Sequence, residues 1–388
     1  QYIKIFLKIK YNCFMKKIFF ALILLFMCSG SVFAEQKQPV RFIYINGANN
    51  DTPSMKQWFF DGIARLHIQM KKQFDESEFV YEKFLKNGQR EVLTQPEIFF
   101  WGDEAAKNLQ TVNENLELTG MLSPKLAQTI RAFFGHCMHD AIWVQKPHNM
   151  QKIVRELHKQ VLNCNKRGEK AVLFGYSAGS FITYRYLFYK VPYMTVETMK
   201  KKMKLDEQQS KYISEHKIKP TCLDAITQVN LAYYTSEERL IPNRNFEEFK
   251  KAYDMLNNVT DTACIPDNTV LGIVNYASPL VLFYSDFNDP TIEITEYNED
   301  LFVNMKDNNM FWLTVNFSND PLGYPLSRNL TDQEIEELHN MSFSKDGRGF
   351  FHDKSDFRCP TICLSAHTSY WKYAKKFAKA VVKAYEEG

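Results

Sequence analysis

The chain has 388 residues, 45% of them apolar and 24% charged, with only 15 glycines and 14 prolines. These values belong to globular proteins and exclude fibrous, low-complexity and disordered classes. The formal charge of +3 arises at the N-terminus: residues 1–34 hold five lysines and no acid. Removing those five from 48 leaves 43 basic against 45 acidic residues, a net of −2, so charge gives no footing for a nucleic-acid partner.

The first 34 residues read as a leader. Met15-Lys16-Lys17 precedes an apolar run from Ile18 to Met27, and Val32-Phe33-Ala34 supplies small residues at a cut site. A short positive region, a short apolar core and small residues are the marks of a secretory signal peptide. The apolar run is too short to span a bilayer as a helix. Cleavage is expected after Ala34, giving an exported, periplasmic or secreted chain, and residues 1–14 are read as lying upstream of the start Met15. Six cysteines follow the leader: Cys137, Cys164, Cys222, Cys264, Cys359 and Cys363. In an oxidising compartment they allow up to three disulfides. Cys222 with Cys264, bracketing one segment, is the first choice.

Beyond the leader, residues 35–388 read as one domain in which strands alternate with helices. Val40–Ile45 (VRFIYI) is a strand ending at Asn46-Gly47, and Pro53 to about Phe74 is a helix with Pro at its first position. Glu97–Trp101 is the next strand. Apolar residues at 153, 154, 157, 161 and 162 predict a helix over Gln151–Lys166. Ala171–Phe174 is a buried strand and Ala178–Tyr189 a helix. From about 191 to 268 the rhythm breaks into a polar, lysine-rich insertion at the sheet's edge, helical near 196–216 and 246–257. Val270–Tyr276, Phe311–Phe317 and Thr361–Ser365 are further strands, and Ser369–Tyr385 is the last helix. This alternation predicts an α/β fold with a mostly parallel central sheet and helices on both faces.

The strongest motif is Gly175-Tyr176-Ser177-Ala178-Gly179, set between a strand and a helix. A sharp strand-to-helix turn leaves its central serine exposed and strained, and side chains at 175 and 179 would clash. Ser177 is therefore the expected nucleophile. The helix start leaves N–H groups without acceptors, so the Ala178 N–H is one expected oxyanion donor. A serine hydroxyl needs a base to take its proton. His367, two residues after the expected last strand, is the choice over His352, the runner-up. The base needs an acid to fix its tautomer. Asp320, in the shaped loop SNDPLGYP after the strand FWLTVNF, is preferred to Asp289. The second oxyanion donor is expected from the N–H of Gly47 or Ala48, after the first strand.

The order Ser177, Asp320, His367 resembles the α/β-hydrolase superfamily, and its lipase and esterase members most. INGANND after the first strand is similar to their oxyanion loop, although Asn46-Gly47 stands where His-Gly-Gly is usual. NYASPL (275–280), WLTVNFSNDPLGYPL and AHTSYW are similar to other segments of exported bacterial serine hydrolases. The resemblance spans residues 40–388 except 191–268, which it makes a helical cap or lid. It implies cleavage of a small-molecule or lipid carboxylic ester through an acyl-enzyme, with no cofactor and no metal. An acyltransferase using the same triad, or an inactive binding protein of the same fold, are the alternatives. Two other features were weighed. His136, His139 and Asp140 share a helix face with metal-ligand spacing, but no complementary Cys/His pair lies nearby. The lysine-rich stretch 200–219 could give transient contact with a membrane surface, and a solvated helix face is the simpler reading.

Overall fold

The computed structural model describes residues 39–48, 53–76, 95–103, 105, 139–192, 205–229, 231–234, 240–281, 301, 304–325, 351–360 and 364–387. The leader, Asp289, His136, Cys137, Cys363 and residues 193–204 lie outside them. Six strands form one wholly parallel sheet: β1 (Val40–Ile45), β2 (Glu97–Phe99), β3 (Lys170–Tyr176), β6 (Val270–Tyr276), β7 (Phe311–Phe317) and β8 (Phe351–Phe357). Their spatial order is β2-β1-β3-β6-β7-β8. The expected α/β class with a parallel sheet is thus present.

Side chains alternate across this sheet because successive Cβ atoms of a strand point to opposite faces. Phe42, Tyr44, Phe174, Tyr276 and Val315 pack on one face against α1 (Pro53–Glu76) and α8 (Ala374–Glu387). Ile43, Ile45, Leu173, Ile273 and Trp312 face the other way, into a core shared with α2 (Pro147–Lys166) and α3 (Gly179–Lys190). In α1 the large apolar residues Phe59, Ile63, Leu66 and Met70 are buried, a helical spacing that makes one apolar stripe. Burying each such side chain contributes roughly 1.5–3 kcal/mol.

Two expectations need correction. The last strand is not Thr361–Ser365: a short helix, α7 (Leu364–His367), occupies the described part of that segment, and the sixth strand lies upstream at Phe351–Phe357. Its sequence FHDKSDF lacks the apolar run that marks a central strand, and among the described residues β8 ends the sheet on one side. The runner-up histidine, His352, is within that strand. The segment 205–263 is also not a purely helical insertion at the sheet's edge. It contains α4 (Glu207–Glu215), α5 (Leu223–Gln228), a two-stranded antiparallel pair β4 (Ala232–Tyr234) and β5 (Leu240–Pro242), and α6 (Phe246–Ala263). Ile213, Leu223, Ile226, Phe249, Tyr253 and Leu256 are buried in the same core as α2 and α3. The apolar positions were hidden among lysines because only one side of each helix packs inward.

This outer layer leaves every residue of α3 buried. Charges on it must then be compensated. Lys190, at its end, forms a buried ion pair with Asp224 of α5, and Asp224 also accepts from Gln228. Arg185 donates to Tyr189 Oη and lies over the Phe188 ring. The Cys222–Cys264 disulfide, the expected pair, closes a 42-residue separation with Cα atoms 5.6 Å apart. Cys164 and Cys359 are buried thiols.

His158 of α2 joins three helices: Nε2 lies 3.1 Å from the Thr262 carbonyl and Nδ1 2.9 Å from Tyr186 Oη. A carbonyl only accepts, so Nε2 carries the proton and Nδ1 accepts from the Tyr186 hydroxyl. The ring is held neutral. Burial first, then the neighbouring Lys190 charge, lowers its pKa from 6.5 to about 4. The unfolded chain therefore binds the extra proton first as pH falls. The stabilisation is complete above pH 6.5 and is lost as pH drops towards 4, up to about 3 kcal/mol in all. Urea unfolding across pH 7 to 4 should show wild type losing its advantage over His158→Gln through that window. A constant difference would mean that the ring is not held neutral.

Candidate active site

The strand order places a crevice before any side chain is considered. The chain passes from β1 to β2 on one side, then returns across β1 to β3 on the other. After β1 it enters α1 on one face, and after β3 it enters α3 on the opposite face. Connections that diverge at the carboxyl ends of adjacent parallel strands open the ligand crevice of such sheets. Gly47 follows β1 and Ser177 follows β3, so the two expected residues face each other there.

The turn at Ser177 is tight. A Cβ on Gly179 would sit 2.6 Å from the Ile45 carbonyl oxygen and 2.8 Å from that of Asn46. One on Gly175 would sit 2.8 Å from the Gly179 carbonyl oxygen, and one on Gly47 2.8 Å from Ser177 Cβ. All three glycines are thus required by close approach of backbone. Ser177 adopts φ 51°, a left-handed conformation that costs a non-glycine residue about 1–3 kcal/mol. Three hydrogen bonds hold it there. Its N–H donates to the Tyr276 carbonyl, and its carbonyl accepts from the Ser180 N–H and hydroxyl.

The neighbouring strand end repeats this geometry. Ala277, after β6, has φ 51° within the NYASPL segment. Ser278 then donates its hydroxyl to Ser180 Oγ at 2.9 Å and its N–H to Asn316 Oδ1 at 3.0 Å. Asn316 also donates to the Tyr324 carbonyl, and the Tyr324 N–H donates to the Ser278 carbonyl. A buried polar chain therefore ties the ends of β3, β6 and β7 to the loop that carries Asp320. Satisfied networks of this kind rigidify a site.

The structure brings the three expected side chains together. His367 Nε2 lies 3.0 Å from Ser177 Oγ, and its Nδ1 lies 3.0 and 3.1 Å from the two oxygens of Asp320. The Asp320 side chain is fully buried, while the His367 side chain keeps 13% exposure. Because an ionised carboxylate only accepts, Nδ1 carries the proton and Nε2 presents its lone pair to the serine. Tyr176 donates its hydroxyl to the His367 carbonyl at 3.0 Å. Its ring packs on Trp371, which fills the space above Gly62 of α1. The histidine is thereby held from below by the residue preceding Ser177.

Of the expected oxyanion donors, Ala178 opens α3, and among the described residues its N–H meets no acceptor. Gly47 lies against Ser177, with Ala48 next to it packed on the core. Asn46 was not singled out from sequence, yet it sets this segment. It is fully buried, donates Nδ2 to the Gly47 carbonyl, and accepts from the Trp101 backbone and indole N–H groups. Tyr370, also missed, donates to Asp320. Its signal was present, since a buried tyrosine needs a partner for its hydroxyl.

Three other histidines are engaged elsewhere: His67 meets Tyr44 Oη, His158 meets Tyr186 Oη and the Thr262 carbonyl, and His216 meets the Tyr212 carbonyl. His139 Nδ1 stands 3.6 Å from Asp140 Oδ1, and among the described residues no three His, Cys, Asp or Glu side chains converge as metal ligands. Comparison of the chain with protein-family models, curated proteins and solved structures finds no match.

The packing of the turn is directly testable. Gly179→Ala places a methyl against two backbone carbonyls that cannot rotate away, so it should destabilise the fold by about 1–3 kcal/mol. Urea unfolding of the purified variant measures this, and an unchanged midpoint would show that the elbow has slack.

Proposed function

We propose that this chain is a serine hydrolase of the α/β-hydrolase type that cleaves carboxylic esters. The observation that carries the reading is the contact chain from Asp320 through His367 to Ser177 Oγ, set at the carboxyl edge of a parallel sheet. Ser177 Oγ attacks the ester carbonyl carbon while His367 Nε2 takes its proton. Asp320 stabilises the resulting imidazolium through Nδ1–H. The Ala178 N–H, with an N–H from the Gly47–Ala48 segment, receives the developing oxyanion, each donor being worth several kcal/mol in such a site. His367 then protonates the departing alcohol. Water, deprotonated by the same ring, attacks the acyl-enzyme and restores the serine. The chemistry uses only the chain's own groups and water.

The order Ser, Asp, His along the chain and the strand–turn–helix setting of Ser177 support the α/β-hydrolase reading. Export belongs to the same proposal. The leader-like N-terminus supports it, as does the Cys222–Cys264 disulfide, since such bonds persist in oxidising compartments. The lining of the 205–263 layer is expected to set the acyl preference.

Ser177→Ala removes the nucleophile and leaves the backbone untouched. Turnover of a short-chain chromogenic ester should fall by at least about 10⁴-fold, and labelling by a fluorophosphonate should disappear, with the unfolding midpoint retained. Product analysis with added alcohols separates hydrolysis from acyl transfer. A wild-type chain that neither turns over esters nor takes the label would overturn the assignment.

A further inference from the structure

We propose that Tyr370 is a positioning residue that holds Asp320 against His367 and tempers the charge of its carboxylate. Asp320 receives a separate protein donor on each oxygen. The Leu322 N–H reaches Oδ1 at 2.9 Å, and the Tyr370 hydroxyl reaches Oδ2 at 2.9 Å. Both oxygens then remain within 3.1 Å of His367 Nδ1. The direction of the tyrosine bond is forced. Its oxygen accepts the Phe317 N–H at 2.9 Å, and its single hydrogen is left to face a carboxylate that cannot donate. Tyr370 is fully buried, its ring packed on Phe317, Tyr276 and Phe377. Burial, reinforced by the adjacent Asp320 charge, raises its pKa well above the ordinary phenol value, so the proton stays in place.

The consequence for His367 follows from charge. A phenol donating to Oδ2 draws negative charge from the carboxylate and makes it a weaker partner for an imidazolium. Tyr370 therefore tempers the carboxylate while it helps keep both oxygens beside Nδ1. The other titratable groups packed around this pair among the described residues are the phenols Tyr176 from β3 and Tyr276 from β6. The phenol of Tyr370 is three residues from His367 in sequence, yet it acts across the sheet on a loop 50 residues earlier.

The catalytic meaning of this role rests on the hydrolase reading, but its physical content does not. In Tyr370→Phe the carboxylate loses a donor and pairs more strongly with an imidazolium, so the His367 resonance should titrate at higher pH than in wild type. ¹³C-histidine NMR, with the resonance assigned by its loss in His367→Gln, reads this without any substrate. The acid limb of kcat/KM for the chromogenic ester should move up with it, and kcat should fall about tenfold with KM unchanged. Placing 3-fluorotyrosine at position 370 keeps the packing and the oxygen that accepts the Phe317 N–H while strengthening the donor to Asp320, so the His367 titration should move to lower pH. In an Asp320→Asn background Tyr370→Phe should cost little further kcat. An unmoved His367 titration in both replacements, or an undiminished kcat loss in the Asp320→Asn background, would overturn the proposal. Wild type that fails fluorophosphonate labelling while the His367 titration still shifts would refute the hydrolase reading alone.

Discussion

The site depends on how closely two strand ends approach at the point where the sheet's connections diverge. Ser177 can meet Gly47 only because no Cβ stands at positions 47, 175 and 179, where one would come within 2.8 Å of neighbouring atoms. That approach presses the elbow against the end of β1, forces Ser177 to φ 51°, and turns its hydroxyl out of the sheet. The strain is tolerated because three hydrogen bonds and the fully buried α3 over-determine the turn. α3 is in turn held by the 205–263 layer through the Lys190–Asp224 ion pair, so a segment that supplies neither Ser177, Asp320 nor His367 still braces the turn at Ser177.

Around that turn, polar groups are spent on rigidity. The Ser180–Ser278–Asn316 chain binds the ends of β3, β6 and β7 together. Tyr176 and Trp371 fix the backbone of His367 against α1. Leu322 and Tyr370 fix Asp320. Ser177, His367 and Asp320 are thus each placed by a partner from another element, and such placement is what the proposed proton transfer between them would need.

Legibility in the sequence followed the range of the physics. Five of the six sheet strands were readable as apolar runs bounded by turn residues, most plainly β3, β6 and β7, which are buried along their length. The strand FHDKSDF was not, because it has no apolar run; among the described residues it ends the sheet on one side. The layer over 205–263 was read as polar because its buried residues, such as Ile213 and Tyr253, form stripes on helices whose other positions carry charges. Tyr370 and Asn46 were missed because their roles are hydrogen bonds to groups 50 and 55 residues away.

The sequence by itself determined the α/β alternation, the elbow around Ser177 and a short list of acids and histidines at strand ends. Those are consequences of periodicity and of local turn sterics, which act over a few residues. The tertiary structure decided that His367 and not His352 meets the serine, that Asp320 faces His367, and that Tyr370 stands behind Asp320. These choices rest on contacts between residues 47 to 190 positions apart. No local pattern encodes such contacts, because they exist only once the sheet has stacked its strands and the two cores have closed on its faces.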